Sequence, residues 1–550
     1  MSGYGALKQL CYHGSSILIV INIILKEIMQ TTKKIGFQEI ALWGLVILAF
    51  FFSIFAFTIG WHSPIVDFHA FRQTQTALSA FWMLKEGYYL NYQTPVLGYP
   101  WGIPLEFPLY QWLVVIVYKL TNLGLDQCGR LVSILAFYSI LFPVYILLKR
   151  LDFKITVFKI FTCLFLLSPL YLFWSRTFMI ESLGLFLAIS FLALTQEYLS
   201  GKKTLTAIVC IVCGCAGALV KITTFVPAAL FCVGLVFMDW YKNYGCAINK
   251  KTILRYAITA LFVLIPLAVA LLWVSYTDHM KAAHPIGSFL TAKALITWNF
   301  GTIAQRFSSQ LWINTIFERS LLTESLGYGL PFFILFIYVC GRKERVGEIE
   351  GSANVKFALF SLAIYFSAFL IFTNLHIEHN YYNYENTLYL ILAAAVVLYV
   401  ISRKISPVFF VILMLIIMAV QIKTYDFTYR RLAAANTVFY RDYLVALFIR
   451  EHTKPNDFIL VHGIDWSSTM AYYSERKSLT RDFSTVADFV ERLENINKYS
   501  GGLRLGAVVL CPPKKIRARS EETKALSQLL QKYTANVVAN CLVCYLSAND

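Results

Sequence analysis

Charge is what this chain has least of. Only 31 of its 550 residues are acidic and 14% are charged at all, while 58% are apolar. With a mean hydropathy of +0.62, this excludes an ordinary soluble globular protein of the same size. Asn-x-Ser/Thr sequons are absent, which fits a bacterial inner membrane. Twelve cysteines occur without the spacing of a metal framework. Cys210, Cys213 and Cys215 lie inside an apolar run, where a thiol acts as a small hydrophobe. The late trio Cys511, Cys541 and Cys544 is the exception, and a bridge there requires an oxidising compartment. No cleavable signal peptide is apparent. The apolar run 17–25 is too short to span, and Met29 followed by Lys33 and Lys34 reads as a cytoplasmic start, with residues 1–28 as an upstream extension. No internal repeat of the transporter kind is visible.

What is present is a series of long apolar runs. Those near the ~20 residues that cross a bilayer predict spans at about 40–60, 131–148, 155–175, 177–197, 204–220, 222–240, 256–277, 325–340, 357–375, 386–402 and 405–423, a polytopic α-helical protein. The net charge of +17 sits mainly in the short gaps, at Lys149-Arg150, Lys202-Lys203, Lys250-Lys251, Arg342-Lys343 and Arg403-Lys404. These are orientation signals rather than a nucleic-acid surface. Placing all of them inside requires 105–121 (LEFPLYQWLVVIVYKLT) to be an interfacial or re-entrant helix. The chain then divides into an inner segment 1–39, a membrane domain 40–424 and an outer tail 425–550. Loops 61–130, 278–324 and 376–385 also face out. The tail is charged throughout, with short apolar stretches at 458–461, 506–511 and 537–546, and reads as a small α/β domain on the outer face.

Ionisable side chains beside a span are costly unless paired or functional, and they gather in the outer loops. The stretch from Val66 to Trp82 places Asp67, His69, Arg72 and Gln73 close together. A carboxylate and a guanidinium so placed suit proton removal from a hydroxyl beside a bound phosphate. They equally suit an N-cap Asp on a surface helix carrying a solvated Arg. In SRTFMIES (Ser175–Ser182), Arg176 ends one helix and Glu181 opens the next, as an ion pair across the hairpin or as an electrostatic or metal-binding carboxylate held ionised by the helix dipole. Lys221 at the next outer corner is a snorkelling anchor or a phosphate contact. HIEHNYYNYEN (His376–Asn386) is an aromatic belt with a polar rim, or a metal site through His376, Glu378 and His379, although HxEH lacks the i,i+4 pairing such sites use. Glu106 is a further outer carboxylate.

Four stretches together resemble a known family. FHAFRQTQTA (Phe68–Ala77), SPLYLFWSRTFMIES (Ser168–Ser182), ALVKITTFVP (Ala218–Pro227) and HNYYNYENTL (His379–Leu388) are similar, in order and spacing, to elements of the GT-C class of polytopic glycosyltransferases. The likeness is to bacterial relatives of the protein O-mannosyltransferase and aminoarabinose transferase group. EFPLYQWLVVIVYKL (Glu106–Leu120) resembles the interfacial helix of that group, and LVHGIDWSSTMAYYSERKS (Leu460–Ser478) its small C-terminal domain. The sequence departs from the pattern at Phe71 and Gln75. The resemblance implies inverting transfer of a sugar from a polyprenyl-phosphate donor to a hydroxyl of a glycan, lipid or protein at the outer face of a bacterial inner membrane. It also implies Asp67 as general base and Glu181 as second carboxylate. Arg72, Arg176 and Lys221 become donor-phosphate contacts, and His69, Gln73, Glu106, His379, Tyr381 and Tyr382 line the substrates. Some members of the class use a divalent metal cation and others none. The competing readings are a transporter or flippase, which would place its charges near the bilayer midplane, and a non-catalytic assembly or sensor protein with a partner-binding tail.

Overall fold

The computed structural model describes residues 36–245, 250–340, 348–483, 486–511, 531 and 533–546. The expected extension 1–28, nearly all of the inner segment 1–39, and the Arg342-Lys343 pair therefore lie outside the described residues.

Each of the eleven expected spans is helical. They form α1 (Phe37–Thr58), α4 and α5 (Leu125–Ser139 and Leu141–Arg150), α6 (Ile155–Leu167), α8 (Glu181–Gly201), α9 (Thr204–Val220), α10 (Ile222–Tyr244), α11 (Lys250–Ala283), α12 (Leu330–Cys340), α13 (Glu348–Ile371), α14 (Asn383–Ser402) and α15 (Pro407–Tyr425). Between α1 and α4 lie α2 (Ala70–Glu86) and α3 (Leu109–Leu120), and between α6 and α8 lies α7 (Pro169–Trp174). Among the described residues, eight stretches are long and apolar enough to cross a membrane, while α3, α6, α9 and α12 are shorter apolar helices. The expected continuous span 155–175 is broken because Pro169, which has no N–H to donate, restarts the chain as the first residue of α7. The expected start at 325 moves to Leu330, since Gly327 (φ 104°) and Gly329 (φ 65°) hold left-handed backbone before it.

Alternating traverses sort the charges to two ends. Arg150, at the end of α5, donates to Glu197 near the end of α8 at 2.6 Å. Arg255 of α11 donates to Asp239 of α10 and to the Leu199 carbonyl at 2.9 and 2.8 Å. Lys202 and Lys203 follow α8 at that same end. The corners at 175–180, 221 and 376–382 lie at the other. This is the division that a positive-inside orientation produces. Helix α3, twelve residues long and so roughly 18 Å, is too short to cross a ~30 Å hydrocarbon core. It buries Tyr110, Gln111, Val114 and Val115 and exposes Ile116 and Leu120, the amphipathic pattern expected of a helix at an interface.

The tail folds around a five-stranded sheet. Its strands are β1 (Phe458–His462), β2 (Lys477–Arg481), β3 (Leu505–Leu510), β4 (Thr534–Val538) and β5 (Cys541–Tyr545), in the order β2-β1-β3-β5-β4. The first three are parallel, and β5 and β4 add antiparallel. The expected single apolar stretch 537–546 is a hairpin, because Ala539 and Asn540 both take positive φ and form the tight reversal that joins two strands. A disulfide joins Cys511, just after β3, to Cys541 on β5, and Cys544 remains a buried thiol.

Strand alternation gives the sheet two different faces. Ile459 and Val461 of β1 and Val509 of β3 pack with Val445 and Ile449 of α16 (Arg441–His452). Phe458, Leu460 and Val508 point the other way, into an apolar core shared with Ile65, Leu78, Trp82 and Leu97 of the first loop region. The loop also covers the β2 edge, where Ser478 and Thr480 N–H donate to the Pro95 and Val96 carbonyls at 3.0 and 2.8 Å. The tail is thus built into the 61–130 region rather than docked as an independent unit.

Candidate active site

The residues singled out in sequence lie at one end of the helical bundle, linked by direct contacts. Asp67 ends the loop that follows α1. That loop runs close under the segment after α15, and a Cβ on Gly60 (φ 68°) would lie 2.3 Å from the Ala433 carbonyl oxygen. Asp67 does not cap α2; its side chain accepts from Arg176 Nη2 at 2.7 Å, with only 3% and 1% of the two side chains exposed. Its other oxygen accepts from Gln73 Nε2. Gln73 Oε1 in turn accepts from the Phe178 N–H at 3.1 Å, so one buried amide ties the loop to the α7–α8 corner. The hairpin reading of an Arg176–Glu181 pair is replaced by two pairs, Arg176 with Asp67 and Glu181 with Lys221.

His69 is the N-cap of α2 in left-handed conformation (φ 57°, ψ 43°). That backbone is uncommon for a residue with a side chain and tends to persist where function or packing demands it. The ring is thereby directed at His379, Tyr381 and Trp174, with centroids 5.3, 5.1 and 5.6 Å away. Arg72, one turn along α2, pairs with Glu106 and Gln75.

Lys221 breaks the backbone between α9 and α10 (φ −156°). Its ammonium donates to Glu181 at 3.0 Å and to Glu385 at 3.3 Å and lies 4.8 Å over the Tyr382 ring and 5.8 Å from that of Tyr381. His379 stacks on Tyr381 at 5.2 Å. By contrast His376 is a packing residue, its Nδ1 and Nε2 held by the Phe372 carbonyl and the Asn386 amide, and Glu378 is exposed. No three His, Cys, Asp or Glu side chains gather as a divalent cation would need among the described residues. Glu181 and Glu385 do approach each other, but an ammonium sits between them.

Burial, together with the nearby Arg72 and Arg319 guanidinium groups, lowers the His379 imidazole to about 4, and burial also lowers His69. Both rings are therefore neutral at pH 7 and available as hydrogen-bonding groups. For His379 the folded value lies below the ordinary 6.5, so the unfolded chain binds a proton that the native one refuses between those values. Stability is expected to fall as pH drops from about 6.5 toward 4. Acid melting of His379→Gln should flatten in that window relative to the parent, and an unchanged slope would contradict the assignment.

Three participants escaped sequence reasoning. Glu385 was readable as an acid opening an apolar span. Trp174, buried against Phe68 and His69, had no signal beyond the aromatic run. Asn380 donates at 3.1 Å to buried Glu324, which ends a π-helical stretch, Gln310–Glu324, of the kind often found near functional sites. An open cleft of about 610 Å³ reaches Asp67, Phe68 and His69 on one wall and Leu432, Asn436 and Tyr440 on the other.

No protein-family model and no curated protein matches this sequence. Solved structures do. ArnT from Cupriavidus metallidurans bound to undecaprenyl phosphate is similar at TM-score 0.59 and 12% identity, over 91% of this chain and 98% of that one. The oligosaccharyltransferase AglB from Archaeoglobus fulgidus, in complex with an inhibitory peptide and a dolichol-phosphate, is similar at TM-score 0.50 and 13% identity, over 90% and 72%. The arabinofuranosyltransferase AftD from Mycobacteria is similar at TM-score 0.51 and 14% identity, over 93% of this chain and 40% of the other.

Proposed function

We propose, from the premise that this chain has the GT-C fold of membrane glycosyltransferases, that it transfers a sugar from a polyprenyl-phosphate donor to an acceptor hydroxyl at the outer face of the membrane. The observation that carries the reading is the convergence of Asp67, Arg176, Glu181, Lys221, Glu385 and His379, from four separate corners, at the bundle end opposite the basic gaps. Similarity in fold to proteins whose structures hold undecaprenyl phosphate and dolichol-phosphate supports a lipid-linked donor. The Cys511–Cys541 bridge supports an oxidising compartment for the tail, hence an outer site. Charges at helix ends rather than in mid-span favour surface chemistry over carriage.

Lys221, whose ammonium lies over the Tyr382 ring and near that of Tyr381, and Arg72 hold the donor phosphate. Asp67, lining the cleft, takes the proton of the acceptor hydroxyl. The acceptor oxygen attacks the anomeric carbon from the face opposite the phosphate, so configuration inverts. The bond from that carbon to the phosphate oxygen breaks, and its electron pair leaves with the lipid phosphate, whose charge Arg72 and Lys221 stabilise. Arg176, expected from the resemblance as a phosphate contact, is 1% exposed and locked onto Asp67, and here it orients that carboxylate instead. Glu181 and Glu385 hold Lys221 in place, and His69, Glu106 and His379 line the substrates, whereas Gln73, expected there from the resemblance, is fully buried and ties Asp67 to Phe178. The sugar class, hexose or pentose, follows from the donor pool. Deleting the gene is expected to make one lipid-linked sugar accumulate, seen by mass analysis of extracted lipids, and the wild-type gene should clear it. An unchanged lipid pool would sink the reading.

A further inference from the structure

We infer that the C-terminal domain is a working part of the active site and that Tyr473 is a positioning residue for Asp67; this rests on the reading of Asp67 as base. The loop Gly60–Asp67 is held at two points, both reached from the first turns of α4. Arg130, 1% exposed, donates through Nη1 to the carbonyls of Gly60, Trp61 and Ser63 at 2.8, 2.9 and 2.7 Å. This fixes where the loop leaves α1. One helical turn earlier, Asp126 accepts the hydroxyls of Tyr472 and Tyr473 at 2.6 and 2.8 Å. Both tyrosines belong to α17 (Thr469–Ser474) of the tail.

The Tyr473 oxygen does a second thing that Tyr472 does not. It accepts the Ile65 N–H at 2.7 Å across 408 positions of sequence, two residues before Asp67. Ile65 and Val66 are buried, so this N–H depends on acceptors supplied by the protein. The same tail segment also touches α2, the helix that begins just after Asp67. Trp466 meets Phe71 edge to face at 5.0 Å, and Thr469 and Thr74 share a hydrogen bond of 3.2 Å. Asp67 therefore sits between two backbone segments that the tail grips, Ile65 before it and α2 after it. The stretch LVHGIDWSSTMAYYSERKS thereby acquires a role in holding the base.

The two phenols give a matched pair of variants in the full chain, held in bilayer discs. Tyr473→Phe and Tyr472→Phe each remove one hydroxyl from Asp126, but only the former takes the phenol oxygen from the Ile65 N–H, which is then left with the Asp126 carboxylate alone. Hydrogen exchange of peptides covering 60–69 is expected to quicken at least tenfold in Tyr473→Phe and to stay at the parental rate in Tyr472→Phe, with similar melting temperatures. In the deletion strain Tyr473→Phe should clear the accumulated lipid-linked sugar at least tenfold more slowly than Tyr472→Phe. Unchanged exchange around Ile65, equal quickening in both variants, or equal clearance would each overturn the inference. If the wild-type gene itself clears nothing, the transferase reading fails on that measurement, while the exchange result independently decides the grip on the loop.

Discussion

Asp67→Asn is expected to cut sugar transfer by about 10²–10⁴-fold, the usual range for loss of a positioned general base, and to destabilise the protein as well. An amide is isosteric with a carboxylate, and by shape alone the change would be harmless to folding. The structure shows otherwise, because Asp67 is the carboxylate partner of a guanidinium 1% exposed. An amide leaves Arg176 charged and unpaired, and breaking a buried ion pair from one side costs about 3–5 kcal/mol. The two effects separate in the double variant Asp67→Asn, Arg176→Gln, which removes both charges. The melting temperature should then recover while clearance of the lipid-linked sugar does not. Recovery of both together would make Asp67 a structural residue and remove it from the chemistry.

Lys221→Met should do comparable damage by another route. The ammonium separates Glu181 and Glu385 at 3.0 and 3.3 Å, with all three side chains nearly inaccessible. Without it two carboxylates face each other in a low-dielectric site, and one must take up a proton to remain there. Loss of a charge-assisted contact to the donor phosphate, worth about 1.5–3 kcal/mol, predicts a fall in transfer of about 10- to 150-fold, in addition to lower yield. Lys221→Arg keeps the charge and should restore stability more than transfer, since a planar fork does not reproduce the geometry of a point charge. Parental clearance in Lys221→Met would exclude this residue as a phosphate contact.

The helical frame was legible because apolar runs near membrane length leave few alternatives, and the basic gaps mark where one run ends and the next begins. The gathering of Asp67, Arg176, Glu181, Lys221 and His379 at one bundle end was legible for the same reason, because they stand out as ionisable groups beside the ends of apolar helices. Their pairing was not. Arg176 and Glu181 are neighbours in sequence yet each binds a residue from another corner, and nothing local distinguishes Asp67 from Glu106 as partner for a given arginine. The hairpin at 539–540 was missed because Ala-Asn lacks the glycine that advertises such a turn. The embedding of the first loop in the tail sheet was invisible too, since its apolar residues serve a core completed by strands some 400 positions away.

That embedding has a consequence for biogenesis. Ile65 and its hydroxyl partner are 408 residues apart, and a ribosome adding about 5–20 residues per second needs roughly 20–80 s to supply the second after the first. Throughout that interval the nascent loop exposes the apolar side chains that later meet β1 and β3, and Asp67 has only part of its final surroundings. Premature termination between about residues 430 and 470 would therefore yield a chain with every bundle helix named above but without the hydroxyl that holds Ile65, a built-in proofreading of length.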